Sequence, residues 1–258
     1  MPDAAASALP FGVLRQILAV APDAVLVGSF AREYWVHHHA GLPRGPKTGD
    51  VDVSIAVESM DHYRARLAAL SGPTGTGLVY RVAGWNVDVI PFGGAATNGV
   101  VSPSPGVTLD VTGMADTSAT AITVTSGQDE VRVASLPAMI ALKVVAWAYR
   151  AQATYDKDAG DLGPLLEATY CGPNNASVYA DEAICDLFSY QEQLIGPYRA
   201  GLTLHQQWKE ETVTAIADRL AGSAQATLAS RIRRLNRSRL EDPGPQLDAF
   251  VRGLQGSP

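Results

Sequence analysis

Long apolar runs are missing from this sequence of 258 residues, and none approaches the ~18 residues that a membrane-spanning helix needs. The first residues, MPDAAASALPFG, lack the basic stretch and long apolar core of a secretory signal. We therefore expect no membrane insertion and a cytoplasmic protein. Cysteine is also scarce: Cys171 and Cys185 are the only two, which excludes a disulfide-stabilised scaffold and predicts two buried thiols.

An excess of positive charge is absent as well. Lys and Arg number 20 against 26 Asp and Glu, a formal net charge of −6, which excludes a protein that binds nucleic acid through a general positive coat. The sequence contains no G-x-S-x-G, no H-E-x-x-H and no paired C-x-x-C. The glycine-rich stretch Ser71 to Gly77 lacks Gly-Lys-Ser/Thr and precedes a strand, so we interpret it as a connecting loop.

The spacing of the apolar residues changes near residue 135 and divides the chain into two domains of similar size. Residues 1–134 hold short β-rich runs separated by Gly and Pro, and residues 135–258 hold helical patterns. The predicted fold class is α+β: a mixed sheet with flanking helices, followed by a helical bundle. Strands are predicted at 25–27, 51–57, 78–82, 86–90, 107–111, 121–125 and 131–134. Helices are predicted at 31–38, 136–150, 179–194, 204–221, 223–239 and 246–254.

The most informative stretch ends at Val57, where polar and apolar residues alternate as on a half-buried strand. Side chains at i and i+2 share a strand face, so Asp50 and Asp52 project together while Val51 and Val53 face a core. Two carboxylates ~4 Å apart repel by about 4 kcal/mol at an effective dielectric of ~20, and a divalent cation removes that cost. Such oxygen ligands suit Mg²⁺ or Mn²⁺. The alternative is an edge strand with a solvated polar face.

Two further features favour the metal site. Asp88 lies between β-branched residues of a second predicted strand and would stand beside the pair if the two strands are neighbours. Gly28 and Ser29 follow the apolar run Val25–Val27 and precede a helix, the arrangement that presents backbone N–H groups and a hydroxyl to a phosphate. Each feature alone is common, but their combination in this order is much rarer.

These motifs resemble those of a known family. Gly28-Ser29 followed by Asp50-Val51-Asp52 resembles the signature of the nucleotidyltransferase (polymerase-β-like) superfamily. The segment Thr48 to Asp52 resembles the T-x-D-h-D form of its AbiEii/MenT-type branch, the toxins of type IV-like toxin–antitoxin systems. The gap between the two motifs is longer than usual in the family, and we interpret the excess, residues 37–46, as an inserted loop. The three adjacent histidines of this loop cannot all point at one metal ion from regular structure.

A lysine interrupts the otherwise apolar helix predicted at 136–150. Lys143 has Ile140 and Trp147 as its helical neighbours, so it lies on an apolar stripe. An ammonium group is costly there unless it meets an anion, or unless the long stem lets it reach solvent.

The segment that follows this helix, residues 157–166, resembles the K-D-x-x-D-L-x-x-L element of AbiEii-type proteins. By that resemblance Lys143 binds phosphate and Asp158 is the late catalytic acid, with Lys157 and Asp161 as local support. Without the resemblance, the two acids could equally be the solvated first turn of a helix, where negative charge is favourable.

Five arginines lie between residues 231 and 239 on a predicted helix. Their density suggests a surface for a phosphate backbone or an acidic partner protein. The residues predicted to contact RNA are Arg231, Arg233, Arg234 and Arg237. The alternative is that they are solvated and complement the helix dipole.

The resemblance implies a metal-dependent enzyme that moves a nucleoside monophosphate from an NTP to an acceptor hydroxyl. The expected roles are metal binding by Asp50 and Asp52, phosphate contact by Gly28, Ser29, Thr48 and Lys157, charge neutralisation by Lys143, and activation of the hydroxyl by Asp88 or Asp158. In this interpretation the C-terminal domain contributes Lys143 and Asp158 to the site.

The resemblance also implies a toxin that blocks translation by modifying the 3′ end of tRNA and that has a cognate antitoxin protein. Two enzyme alternatives are a nucleotidyltransferase acting on a small molecule such as an aminoglycoside, or one acting on a protein hydroxyl. An alternative of another class is a catalytically silent module that binds a nucleotide or an antitoxin. The simultaneous presence of the serine, both acids of the D-x-D, the lysine and the late acid argues against a silent module.

Overall fold

The structure of the protein is a computed structural model that describes residues 9–46, 48–150, 156–235 and 238–257. These residues form an α+β fold, as predicted: a mixed seven-stranded sheet with flanking helices, and a helical C-terminal region. The chain divides into two compact units. The first comprises the described residues of Met1–Tyr34 and Pro46–Ser135, and the second those of Trp35–Gly45 and Leu136–Pro258.

Nine strands are found in the described part of the first unit. Their bounds are β1 Val25–Val27, β2 Asp50–Val57, β3 Ser71–Thr74, β4 Val79–Val82, β5 Trp85–Gly93, β6 Val100–Ser104, β7 Val107–Asp110, β8 Ile122–Ser126 and β9 Asp129–Val133. The main sheet has the order β3-β4-β5-β2-β1-β9-β8, and β6 and β7 form a separate pair. Strand β2 is antiparallel to β1 and parallel to β5, so these three strands lie side by side at the centre.

The alternating sequence of β2 explains its place in the sheet. Val51 and Val53 are buried in the core, while Asp50 and Asp52 on the other face are partly exposed. All three residues of β1 are buried, as is typical of a strand covered on both faces. The polar residues of β2 therefore lie at its start, which is paired with the end of β1.

Four α-helices belong to the described part of the first unit. Their bounds are α1 Phe11–Val20, α2 Gly28–Glu33, α3 Met60–Arg66 and α4 Met114–Ala119. Helix α2 begins directly after β1, earlier than predicted, and continues into a π-helical turn at Tyr34–His39. The predicted loop at 37–46 is therefore irregular only after His39.

The described part of the second unit is helical. Its α-helices are α5 Leu136–Tyr149, α6 Lys157–Ala168, α7 Asn175–Val178, α8 Glu182–Leu187, α9 Glu192–Gln207, α10 Glu210–Arg219, α11 Ser223–Leu235 and α12 Gly244–Leu254. Helix α5 is buried over most of its surface, as its apolar sequence predicts. A second core forms where Phe188, Ile195 and Tyr198 pack against Ala249 of α12.

The predicted helix at 179–194 is wrong, because only α8 lies wholly within it. The Asp181 side chain accepts a hydrogen bond from the backbone N–H of Ile184 at 3.2 Å and so caps the start of α8. Ser189 and Tyr190 have φ values of 50° and 59°, and this left-handed turn ends the helix. Neither residue is glycine, so the sequence gives no sign of the stop.

Four other sequence predictions also differ from the structure. The predicted helix at 204–221 is interrupted at Trp208 and Lys209, whose ψ values of 161° and 138° are those of extended chain. The supposed loop at 71–77 contains strand β3, and strand β6 was not predicted. Helix α11 is Ser223–Leu235, and Arg239 lies outside it, where its backbone N–H and its side chain donate to Glu167.

The described residues hold no disulfide and no membrane span. Cys171 and Cys185 are free thiols; Cys185 is buried as predicted, whereas Cys171 is partly exposed. None of the described helices combines the length and the apolar character needed to cross a bilayer.

Candidate metal centre

Strand register brings three carboxylates together at the centre of the sheet. Asp52 of β2 is paired directly with Asp88 of β5, and Asp50 is paired with Asn86. Directly paired residues project from the same face, so Asp88 stands beside the two acids of the D-x-D. One carboxylate oxygen from each of the three residues lies within 4.8 Å of the others, and all three residues are partly buried. This is the only such group of three potential metal ligands among the described residues.

The turn after β1 contacts the second acid of the D-x-D. Gly28 has a φ of +64°, and a Cβ at this position would lie 2.0 Å from Oδ2 of Asp52. The backbone N–H of the buried Ser29 donates to the same oxygen at 3.4 Å. The Gly-Ser turn, predicted to contact phosphate, therefore supports the carboxylate of Asp52 in this structure.

Thr48 has a comparable relation to the first acid. Its hydroxyl donates to the Asp50 carboxylate through a short hydrogen bond and lies 3.2 Å from the Asp50 carbonyl oxygen. Because both contacts go to one residue, Thr48 orients Asp50, whereas the sequence predicted a contact between Thr48 and phosphate.

The chemistry of the three residues fits a hard divalent cation. Carboxylates this close repel one another, by about 4 kcal/mol for a pair at ~4 Å in an effective dielectric of ~20. A divalent cation attracts each of the three carboxylates, so the total electrostatic energy of the cluster becomes favourable when the cation is bound. Oxygen ligands of this kind suit Mg²⁺ or Mn²⁺, which bind one or a few carboxylates together with substrate phosphates.

Two residues on the same face of the sheet were not singled out from the sequence. Arg81 of β4 donates from Nη1 to Oδ1 of Asn86 at 2.6 Å, and the two residues are directly paired across β4 and β5. Asn86 could have been identified from the sequence, since it is two residues before Asp88 and therefore shares its strand face. The position of Arg81 depended on the antiparallel pairing of β4, which the sequence did not specify.

The second unit buries the lysine that the sequence highlighted. Nζ of Lys143 lies 3.0 Å from Oδ1 of Asp158 and 2.7 Å from Oδ2 of Asp161. Arg150 donates to the other oxygen of Asp158 at 2.9 Å. Burial lowers the pKa of the Lys143 ammonium, but the negative charges of Asp161 and Asp158 outweigh burial and raise the pKa above its ordinary value. The anion that this lysine needs is thus supplied by α6.

Lys157 has a different environment from Lys143. It is the first residue of α6 and is partly exposed. The roles of Lys143, Asp158 and Lys157 with phosphate stay predictions from the resemblance.

The arginine cluster is largely engaged within the second unit. Arg231 and Arg234 both form ion pairs with Asp156, whose side chain is 6% exposed. Arg233 is 59% exposed, and its Nη2 lies 3.9 Å from Oδ1 of Asp242. The fourth arginine predicted to contact RNA, Arg237, lies outside the described residues. Arg234 stays 67% exposed despite its ion pair, so both Arg233 and Arg234 reach solvent, while Arg231 is 28% exposed. Contact of these arginines with RNA stays a prediction.

The three adjacent histidines are used in local packing. Nδ1 of His37 donates to the carbonyl oxygen of Leu42 at 2.7 Å, and its ring packs edge-on against His38. The His39 ring packs edge-on against Trp35, 5.0 Å away between centroids.

Comparison with known proteins adds nothing to the geometry of the carboxylate cluster. No protein-family model matches this chain, and no curated protein is significantly similar to it.

Proposed function

We propose that the protein is a metal-dependent nucleotidyltransferase with the polymerase-β-like fold, which transfers a nucleoside monophosphate from an NTP to an acceptor hydroxyl. The observation that carries this proposal is the convergence of Asp50, Asp52 and Asp88 within 4.8 Å, beside the Gly-Ser turn. The order of the motifs supports it, since a strand, a Gly-Ser turn, a D-x-D and a third acid on a neighbouring strand occur together as in that superfamily.

Asp50, Asp52 and Asp88 would hold Mg²⁺ or Mn²⁺, and the cation, when bound, would neutralise the charge of the triphosphate. Thr48 and the Ser29 amide keep two of these carboxylates in place. The acceptor oxygen forms a bond to the α-phosphorus, the bond to pyrophosphate breaks, and the hydroxyl proton passes to a base. Both oxygens of Asp158 are engaged in ion pairs. We therefore propose that Asp88 is the base, through the carboxylate oxygen that would not bind the cation.

For the acceptor we propose the 3′ end of tRNA, which makes the protein a translation-blocking toxin with a cognate antitoxin. This part of the proposal rests on the resemblance of the T-x-D-h-D and K-D-x-x-D-L-x-x-L segments to AbiEii-type toxins. NTPs and tRNA are cytoplasmic, so we propose that the protein acts in the cytoplasm.

A smaller acceptor is the second candidate, and one observation favours it. Arg231 and Arg234 bind Asp156, so two of the arginines that suggested an RNA surface already have an internal partner. A small molecule or a protein hydroxyl needs no extended phosphate-binding surface.

The test is a transfer assay with the full chain, Mg²⁺ or Mn²⁺, and each α-³²P-labelled NTP in turn. Total RNA, a protein extract and aminoglycosides are offered as separate acceptors. We expect label in one acceptor class with the wild type, and none with Asp52→Asn. The matched control is Asp61→Asn, which neutralises an exposed aspartate paired with Arg64 and should transfer normally. Absence of label from every acceptor would overturn the enzyme proposal.

A further inference from the structure

A row of three polar residues crosses the sheet beside the carboxylate cluster. Arg81 of β4 is directly opposite Asn86 of β5, and Asn86 is directly opposite Asp50 of β2. Residues in direct register share a face, so Arg81 projects from the face that carries the three acids. Strands are ~4.8 Å apart, which puts the Cα atoms of Arg81 and Asp50 ~10 Å apart.

The guanidinium of Arg81 is held but not neutralised by its neighbour. Nη1 donates to Oδ1 of Asn86 at 2.6 Å, and the arginine is exposed. Asn86 is a neutral amide, so this contact orients the guanidinium but does not neutralise its positive charge. An arginine has five N–H donors, and this contact uses one of them.

The guanidinium of Arg81 lies near the three carboxylates but is separated from them by Asn86. A guanidinium next to three carboxylates would compete with a metal ion for them if it reached them directly. Here an intervening amide from Asn86 binds the guanidinium one strand away from Asp50. The face therefore offers three anionic ligands for a cation and, beside them, one cation with the planar donor fork that binds phosphate.

We propose that Arg81 is a substrate-binding residue that contacts the polyphosphate of a nucleotide whose metal ion is held by Asp50, Asp52 and Asp88. Asn86 is the positioning residue that orients its guanidinium. This inference rests on the proposed function, because it assigns a partner to the same carboxylate site.

The experiment separates binding of the metal from binding of phosphate. Mn²⁺ alone is titrated by electron paramagnetic resonance, and inorganic tripolyphosphate with Mg²⁺ is titrated by calorimetry. We expect Arg81→Ala to weaken tripolyphosphate binding by ~10-fold or more, as for loss of a charge-assisted hydrogen bond. Its Mn²⁺ affinity should be unchanged or higher, since a nearby positive charge is removed. A merely structural role would weaken both.

Three further variants sharpen the test. Arg81→Lys keeps the charge without the planar fork and should be intermediate. Asn86→Asp supplies a carboxylate that pairs with Arg81 and should weaken tripolyphosphate binding. Arg15→Ala is the matched control, because this exposed arginine of the first unit pairs with Asp129 and should bind as the wild type does.

The outcomes distinguish this inference from the proposed function. If the wild type binds Mn²⁺ and tripolyphosphate and Arg81→Ala binds both equally well, the role of Arg81 is overturned while the metal site stands. If the wild type binds Mn²⁺ but no tripolyphosphate, the polyphosphate contact is overturned. If it binds neither, the proposed function fails and the inference fails with it.

Discussion

The carboxylate of Asp52 lies directly against the Cα atom of Gly28. A methyl group at residue 28 would come within 2.0 Å of Oδ2 and 2.5 Å of Cγ. The same glycine has a φ of +64°, a conformation that other residues adopt at a cost of ~1 kcal/mol or more. Glycine at residue 28 is thus required both by the position of the Asp52 carboxylate and by the backbone conformation.

We expect Gly28→Ala to displace the Asp52 carboxylate and to lower Mn²⁺ affinity by ~10-fold or more, because a ligand moves out of the cluster. The measurement is Mn²⁺ titration by electron paramagnetic resonance. Gly12→Ala is the control, since a Cβ there meets nothing within 4 Å on helix α1. Equal Mn²⁺ affinity in the two variants would show that the close contact does not constrain Asp52.

Removing the ammonium of Lys143 should lower the free energy of unfolding of the second unit. Lys143→Met removes the ammonium that pairs with the buried Asp158 and Asp161 and leaves Arg150 as a partner of Asp158, and breaking a buried pair costs ~3–5 kcal/mol. Denaturant unfolding measures the loss, and adding Asp161→Asn should recover part of it. Lys157→Met, at a partly exposed lysine, should change stability by less than ~0.5 kcal/mol. If both lysine variants unfold at the same denaturant concentration, the buried pairing is not stabilising.

Stability should fall at alkaline pH through Tyr63. Burial raises the pKa of this phenol well above its ordinary value, with smaller contributions from Tyr80 and Asp88, and its hydroxyl donates to the Val89 carbonyl at 2.7 Å. The unfolded chain loses this proton above pH ~10 while the folded protein keeps it. The free energy of unfolding should therefore fall there by up to ~1.4 kcal/mol per pH unit.

Tyr63→Phe should be less stable than the wild type at pH 8 by ~1 kcal/mol, because the hydrogen bond is lost. Above pH ~10 its stability should fall less steeply, so the two curves converge. Urea unfolding from pH 8 to pH 11 checks this. Parallel curves for the two proteins would assign the alkaline loss to other groups.

The neighbouring arginines Arg233 and Arg234 should behave differently. Arg234→Ala deprives the buried Asp156 of one of its two partners and should lower the free energy of unfolding by ~1–3 kcal/mol. Arg233→Ala removes an exposed side chain and should stay within ~0.5 kcal/mol of the wild type. Denaturant unfolding of both variants, followed by RNA labelling, separates the two roles. Reduced labelling with Arg233→Ala at unchanged stability would identify an RNA contact, and equal destabilisation by the two variants would contradict the ion pair.

Local patterns predicted the part of the site that depends on local geometry. The alternation along β2 placed Asp50 and Asp52 on one face, because a strand fixes side-chain direction with a period of two. The position of Asp88 depended on which strand lies beside β2, and the parallel pairing that decides it is a long-range contact. From the sequence we could predict only that Asp88 joins the other two acids if its strand is the neighbour of β2.

Charge pairs across the fold were beyond the sequence for the same reason. Asp156 and Arg231 are 75 residues apart, so nothing local shows that this arginine has a buried partner. The apolar surroundings of Lys143 left two possibilities, an anion or a stem that reaches solvent, and the structure shows the first, with Asp158 and Asp161 as the anions. The sequence thus indicated that Lys143 needs special surroundings, but it did not identify the residues that provide them.

The parallel pairing of β2 with β5 has a kinetic consequence. Asp52 and Asp88 are 36 residues apart, and parallel strands must be joined by a long crossover. Contacts of this range form after the local ones in most folding reactions. We therefore expect the metal ligands to assemble only once the crossover has closed. A cation would then bind the finished sheet, prolonging the lifetime of the native state while leaving the folding rate nearly unchanged.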